Sequence, residues 1–186
     1  MDDIASDTGI SKKTLYQYCK DKKELVENAI ETILNKNDCD NASTKRNAKN
    51  AIEESFVMIE QSADLFKTIN PLVLYDLKKY YPAAYEKFIQ YKNNELYNKL
   101  KENVEWGIAD GLFRADLNIE VAVHYRLESI LIAFLPDFQS KVKISLAEIY
   151  SELFDLFTFG IATKKGYELF IKMKTKEKKN NIHAHN

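Results

Sequence analysis

Apolar residues recur at three- and four-residue intervals along almost the whole chain, the mark of amphipathic helices, and no alternating run long enough for a strand survives counting. Residues 1–8 read as a short helix with Ile4 and Ala5 inward, stopped at Gly9, a residue type suited to the left-handed position after a helix end. Ser11 caps a second short helix whose apolar positions are Leu15, Tyr18 and Cys19. Asp21 with Glu24 three residues on is a capping-box-like pair, and opens a third helix in which Leu25, Val26, Ala29, Ile30, Ile33 and Leu34 keep helical spacing. That helix is expected to end in the polar stretch 35–47, the boundary between a small head (1–40) and a larger body (41–186).

The body continues in the same style. Ala48, Ile52, Phe56, Ile59, Ala63 and Phe66 step along one helix face. Pro71 and Pro82 bracket a short segment rich in Leu and Tyr, and after Pro82 the residues Tyr85, Ile89, Leu96, Leu100, Val104 and Ile108 mark a long helix whose end is loosened by Gly107 and Gly111. Residues 118–135 are apolar nearly all round, and Ser145 with Glu148 forms a capping box for another apolar helix. These two helices hold more apolar surface than a small helical body should need. The surplus predicts a homodimer, with Leu127, Ile130, Leu131 and Phe134 of the first helix and Ile149, Leu153, Phe154 and Phe157 of the second at the interface. The Lys-rich segment 164–179 is expected to fray.

Composition narrows the class. In 186 residues, 45% hydrophobic and 30% charged, there are only 5 Gly and 3 Pro, so turns are few and helices long. Cys19 and Cys39 lack any paired spacing and read as unpaired thiols. No apolar run of about 18 residues and no leader pattern is present, so the expected location is the cytoplasm, with no membrane partner. A net charge of -1 gives no overall attraction to nucleic acid, but residues 11–23 concentrate Lys12, Lys13, Lys20, Lys22 and Lys23 against the single acid Asp21. There is no phosphate-binding Gly loop, metal-ligand cluster or nucleophile elbow, so neither catalysis nor a cofactor is expected; the tail pair His183 and His185 reads as a polar terminus rather than a metal site.

The first 25 residues, with Ile4 and Ala5, Gly9, Ile10, Ser11, Thr14, Leu15, Tyr16, Tyr18, Lys20, Lys22, Glu24 and Leu25 at fixed spacing, closely resemble the helix-turn-helix of TetR family transcription regulators. The resemblance implies an all-α protein in which a helix-turn-helix DNA-binding head is joined to a helical ligand-binding and dimerisation body. By position, Ser11, Lys12, Lys13, Thr14 and Gln17 are candidates for DNA contact at the opening of the recognition helix, and the family pattern adds Tyr16, Tyr18 and Lys22 for backbone phosphates. Cys19 departs from the pattern, which usually has a large aromatic there, so a less filled core under the recognition helix is expected. The family's reader also has an amphipathic helix ahead of these residues. The natural protein is therefore expected to extend before Met1; a degenerate head that does not bind DNA is the alternative.

Resemblance further implies a ligand cavity in the body, for which Phe56, Phe66, Tyr75, Tyr85, Phe88, Tyr91 and Trp106 are candidates beside a larger set of core aromatics. His124 and Arg126 interrupt an apolar helix and need a partner: an anionic ligand or, equally, groups across a dimer interface. The expected function is a DNA-binding regulator, by family habit a repressor, with an operator duplex, a small-molecule effector and a second copy as partners. The rival is a helical ligand-binding or interaction protein that has lost DNA recognition; an enzyme is a distant third.

Overall fold

A computed structural model describes the backbone over residues 1–183 and the side chains outside residues 36–46, 63–64 and 177–186. The helices arise close to where the apolar spacing places them: α1 (Asp2–Thr8), α2 (Lys12–Tyr18), α3 (Lys22–Asn47), α4 (Ala51–Thr68), α5 (Val73–Tyr80), α6 (Pro82–Tyr91), α7 (Tyr97–Ala109), α8 (Ile119–Ile132), α9 (Pro136–Lys141), α10 (Leu146–Ile161) and α11 (Lys164–His183). Their starts are set by side chains that satisfy orphan amides. Ser11 accepts from the Thr14 amide, Asn50 from Glu53, Asn118 from Val121, and Ser145 and Glu148 form the full reciprocal box. Gly9 ends α1 at φ 67, where a Cβ would be strained.

Three features differ from the pattern-based reading. First, α3 does not stop at residue 35 but continues as helix to Asn47. Polar composition removes the packing signal without breaking the backbone, since Asn, Lys and Asp are tolerated in a helix. Second, the helix begun at Pro82 runs to Ala109 but widens into a π-helical turn at Lys92–Leu96, which brings Tyr91 and Leu96, five residues apart, to one side. Third, the Lys-rich last segment docks instead of fraying. Phe170 of α11 is wholly buried, its ring 4.9 Å from Phe56 of α4, 5.7 Å from Phe154 and 5.1 Å from Phe159 of α10. Lys174 forms an ion pair with Asp155 of α10. Lysines between Leu169, Phe170 and Met173 mask an apolar stripe that the sequence does contain.

The main core gathers α4, α7, α8, α10 and α11 around Ile52, Val104, Val123, Leu127, Phe154 and Phe170. The loop after α7 is stitched to the α10–α11 junction by the Arg114 amide donating to Ile161 O and the Thr163 amide to Leu112 O, each at 2.9 Å. A smaller core around Phe134, Leu146 and Ile149 packs against Phe66, Ile69 and Leu74.

Most of the residues expected at a dimer interface contribute to these cores. Leu127, Phe134, Ile149, Phe154 and Phe157 are all buried within the single chain, while Ile130, Leu131 and Leu153 are half-buried. The apolar surplus is taken up at home, because α4 and the docked α11 cover it. What remains exposed on the same two helices is a different face: Val121 and Tyr125 on α8, Leu156 and Phe159 on α10.

Candidate DNA-reading head and body cavity

In the head, two residues anchor α2 and the rest face outward. Leu15 and Cys19 are buried, and the Cys19 thiol donates to Leu15 O at 3.3 Å. Cys19 is a free, buried thiol; the side chain of Cys39, like those of His183 and His185, lies outside the described residues. With Leu15 inward, helical geometry turns Lys13 and Gln17 to solvent, and Lys12, Tyr16, Tyr18, Lys22 and Ser11 are exposed as well. Thr14 is half-buried, held by a 2.8 Å hydroxyl contact with Ser11 that adds to the amide cap. Tyr18, read as apolar, is in fact 78% exposed.

Two electrostatic details modify the picture. At the start of α3, Asp21 accepts from the Glu24 amide at 2.9 Å, as the capping pair requires; the Glu24 carboxylate accepts from the Lys20 amide, one residue before the usual position, at 2.6 Å. Lys12 is paired with Asp2 of α1 at 2.9 Å. Each holds the other ionised, Lys12 above and Asp2 below the ordinary value, through their hydrogen bond first and their charges second.

The third helix carries the head into the body. It packs along α6 and α4, and Lys87 of α6 forms an ion pair with Glu31 at 2.8 Å. Its residues Ile30, Ile33 and Leu34 form one wall of a cavity of about 170 Å³. Across from them, α4 contributes Met58, Leu65 and Phe66, α5 Leu74 and Leu77, α6 Phe88 and Tyr91, α8 Ile130, the turn after it Phe134, and α10 Tyr150. Gln61, Ser62 and the two tyrosines supply the polar groups, and among the described residues no Lys, Arg, Asp or Glu lines the cavity. Such a volume holds a small apolar molecule, since on the order of 150 Å³ suffices for benzene.

Of the residues expected around a ligand, Phe66, Phe88 and Tyr91 line this cavity. Phe56 belongs to the main core and Trp106 packs against it; Tyr75 is exposed beneath Lys79, Tyr85 lies beneath Lys78, and the exposed His124 stacks on Tyr97 at 5.4 Å. Arg126 does not line the cavity but lies behind Tyr150, its guanidinium 5.0 Å from that ring. Aromatic identity alone could not separate core from cavity. The residues missed, from Ile30 to Tyr150, are mostly aliphatic and indistinguishable in sequence from any other core position. Only the recurrence of Ile30, Ile33 and Leu34 on a helix leaving the head hinted at a second contact for α3.

No family model matches the chain. A curated relative, an uncharacterized HTH-type transcriptional regulator, YvaF of Bacillus subtilis (strain 168), is 25% identical over 170 residues, covering 87% of this chain and 84% of its own length. Among solved structures, a transcriptional regulator from Cytophaga hutchinsonii ATCC 33406 superposes with TM-score 0.66 at 20% identity, over 88% of each chain. The ketosteroid transcriptional regulator KstR2 of Mycobacterium tuberculosis superposes with TM-score 0.58 at 15% identity, over 87% of this chain and 84% of its own. The fold is thus that of helical transcriptional regulators. No described helix is long and apolar enough to cross a membrane.

Proposed function

We propose that this chain is a ligand-responsive DNA-binding transcription regulator of the TetR type, a cytoplasmic repressor with a head over residues 1–40 and a ligand-binding and dimerisation body over residues 41–186. The observation that carries this reading is the outward presentation of Lys12, Lys13, Tyr16 and Gln17 on a capped helix whose other side is pinned by Leu15 and Cys19. Lys13 and Gln17 reach base edges in the major groove, and Tyr16, Tyr18 and Lys22 hold phosphates on either side. A duplex operator is read by two heads, so the exposed stripe of Val121, Tyr125, Leu156 and Phe159 meets the same stripe of a second copy about a two-fold axis.

Regulation follows from the path of α3. The same helix starts beside the recognition helix and walls the cavity, so a molecule that fits the cavity in only one setting of α3 shifts the spacing of the two heads. Productive binding needs that spacing near the ~34 Å repeat of the duplex. Differential affinity between the settings, not proximity, supplies the coupling.

The test is a titration of the promoter region beside the protein's own gene at controlled salt. Lys22→Ala is expected to weaken binding and reduce the salt slope by about 1, and Tyr16→Ala to weaken it roughly tenfold, with the oligomeric state unchanged. Wild-type binding by both variants would remove these residues from the interface. The second reading, a ligand-binding protein whose head no longer reads DNA, is favoured by one observation: Lys12 is already neutralised by Asp2. Absence of promoter binding by the wild type would select it.

A further inference from the structure

Among the described residues, two cations lie buried in the body, and their surroundings differ. Lys92, in the π-helical turn, has the Glu128 carboxylate at 2.5 Å. Arg126 of α8 is 3% exposed and has no carboxylate within ion-pair distance among the described residues. Its guanidinium is instead packed against three rings of α10, 5.0 Å from Tyr150, 5.6 Å from Phe154 and 6.0 Å from Phe157. A long contact of 3.4 Å to Ser129 Oγ is the hydrogen bond it makes, with the Tyr150 hydroxyl near enough to interact. Three acids on the surrounding helices are engaged elsewhere: Asp155 with Lys174, Glu128 with Lys92, and Glu54 of α4 with Asn103. A guanidinium has five donors and does not deprotonate, so a buried one without a counter-charge is incomplete in a way that aromatic faces only partly offset.

The Tyr150 ring that covers Arg126 on one side lines the apolar cavity, as does Ile130, one turn along α8 from Arg126. Among the described residues, the cavity itself is lined by no charged side chain. An apolar chamber with a single positive charge behind one tyrosine of its wall selects a molecule with an apolar body and one anionic end. Resting on the reading of this cavity as the effector site, we propose that the effector is an apolar monocarboxylic acid whose body lies among Phe66, Leu74 and Phe134 and whose carboxylate meets Arg126 beside Tyr150. Arg126 is then the specificity residue for charge, and the bidentate geometry of its fork suits a carboxylate.

Calorimetric titration of the full chain with octanoate, 1-octanol and octylamine tests this, because the three share a tail and differ in head charge. Octanoate is expected to bind about tenfold or more tighter than octanol, and octylamine most weakly. Arg126→Met is expected to abolish the preference while keeping octanol binding within about twofold, and Arg126→Lys to keep part of it. Leu74→Trp, which fills the chamber, is expected to remove binding of both. Equal binding of octanoate and octanol, no binding of either, or a preference that survives in Arg126→Met would overturn the proposal. Should Arg126→Met lose the helical circular dichroism of the wild type, Tyr150→Phe decides instead: a preference reduced several-fold supports the site and an unchanged one overturns it. Promoter binding measured in parallel separates the two readings. DNA bound without an octanoate preference sinks only the carboxylate, whereas the preference without DNA binding sinks only the regulator.

Discussion

Asp2 shows how one side chain can tune the head. Its pair with Lys12 spans two exposed carboxylate and ammonium groups, so it adds little to stability, but it occupies a cation at the mouth of the recognition helix. Asp2→Asn removes that competitor and one negative charge near the duplex. Operator affinity is expected to rise several-fold at low salt, with the gain shrinking as ionic strength increases. An unchanged affinity in a salt series would mean that Lys12 does not approach DNA. Arg126 is the opposite case: burial pushes its guanidinium below its ordinary value, with the Tyr150 and Tyr125 phenols working against that shift. Three rings stabilise it by roughly 0.5–2 kcal/mol each when desolvated, which explains how the site tolerates the charge in a single chain.

At the scale of elements, α11 and α3 matter most. Gly166, in the first turn of α11, lets that helix approach the loop after α7 so closely that a Cβ would lie 2.0 Å from Leu112 O, and this contact sets where Phe170 enters the core. Phe170→Ala is expected to cost about 3–5 kcal/mol, since the ring is wholly buried against three others. Urea unfolding measures it directly; a loss below about 1 kcal/mol would mean that α11 is only loosely docked in solution. The other element, α3, links head and body: it begins at Lys22, directly after the recognition helix, and its Ile30, Ile33 and Leu34 wall the cavity. The π-helical turn opposite it sets Tyr91 and Leu96 into the same cavity.

For the molecule as a whole, assembly and acid stability can both be tested. Leu156 is 62% exposed on an otherwise apolar helix, so Leu156→Glu is expected to leave the fold intact, convert a dimer to a monomer in sedimentation and abolish high-affinity operator binding. A dimer that persists would place the interface elsewhere. Acid should destabilise the chain because Glu31, Glu120 and Glu148 are all held below the ordinary carboxylate value. For Glu31 the main cause is the hydrogen bond from Lys87, for Glu120 those from Tyr97 and Lys101, and for Glu148 that from Ser145. A carboxylate depressed in the folded state adds stability that is complete above its unfolded value, near 4.3, and disappears as pH falls through the folded value. Urea midpoints are therefore expected to be flat from pH 7 to about pH 5.5 and to fall steadily below it. No fall by pH 3.5 would contradict the three pairings.

Helix positions, caps and the outward face of the head were legible in the sequence because each depends on residues within four places of one another. Ser11 and the Thr14 amide, Gly9 at a left-handed turn, and Leu15 opposite Lys13 and Gln17 are local facts of the backbone. Which apolar face meets which neighbour is not local. In sequence, Leu127 and Phe157 fit an interface as well as a core; in the single chain they share one core with Phe170, which docks from more than a dozen residues away. The cavity belongs to the same class, since it is the space left when α3, α4, α5, α6, α8 and α10 fail to close completely, and aliphatic side chains carry no mark of which will face a void. The primary structure by itself determined the secondary structure and the chemistry of the head. Only tertiary packing decided where the body keeps its empty space, and which charge stands beside it.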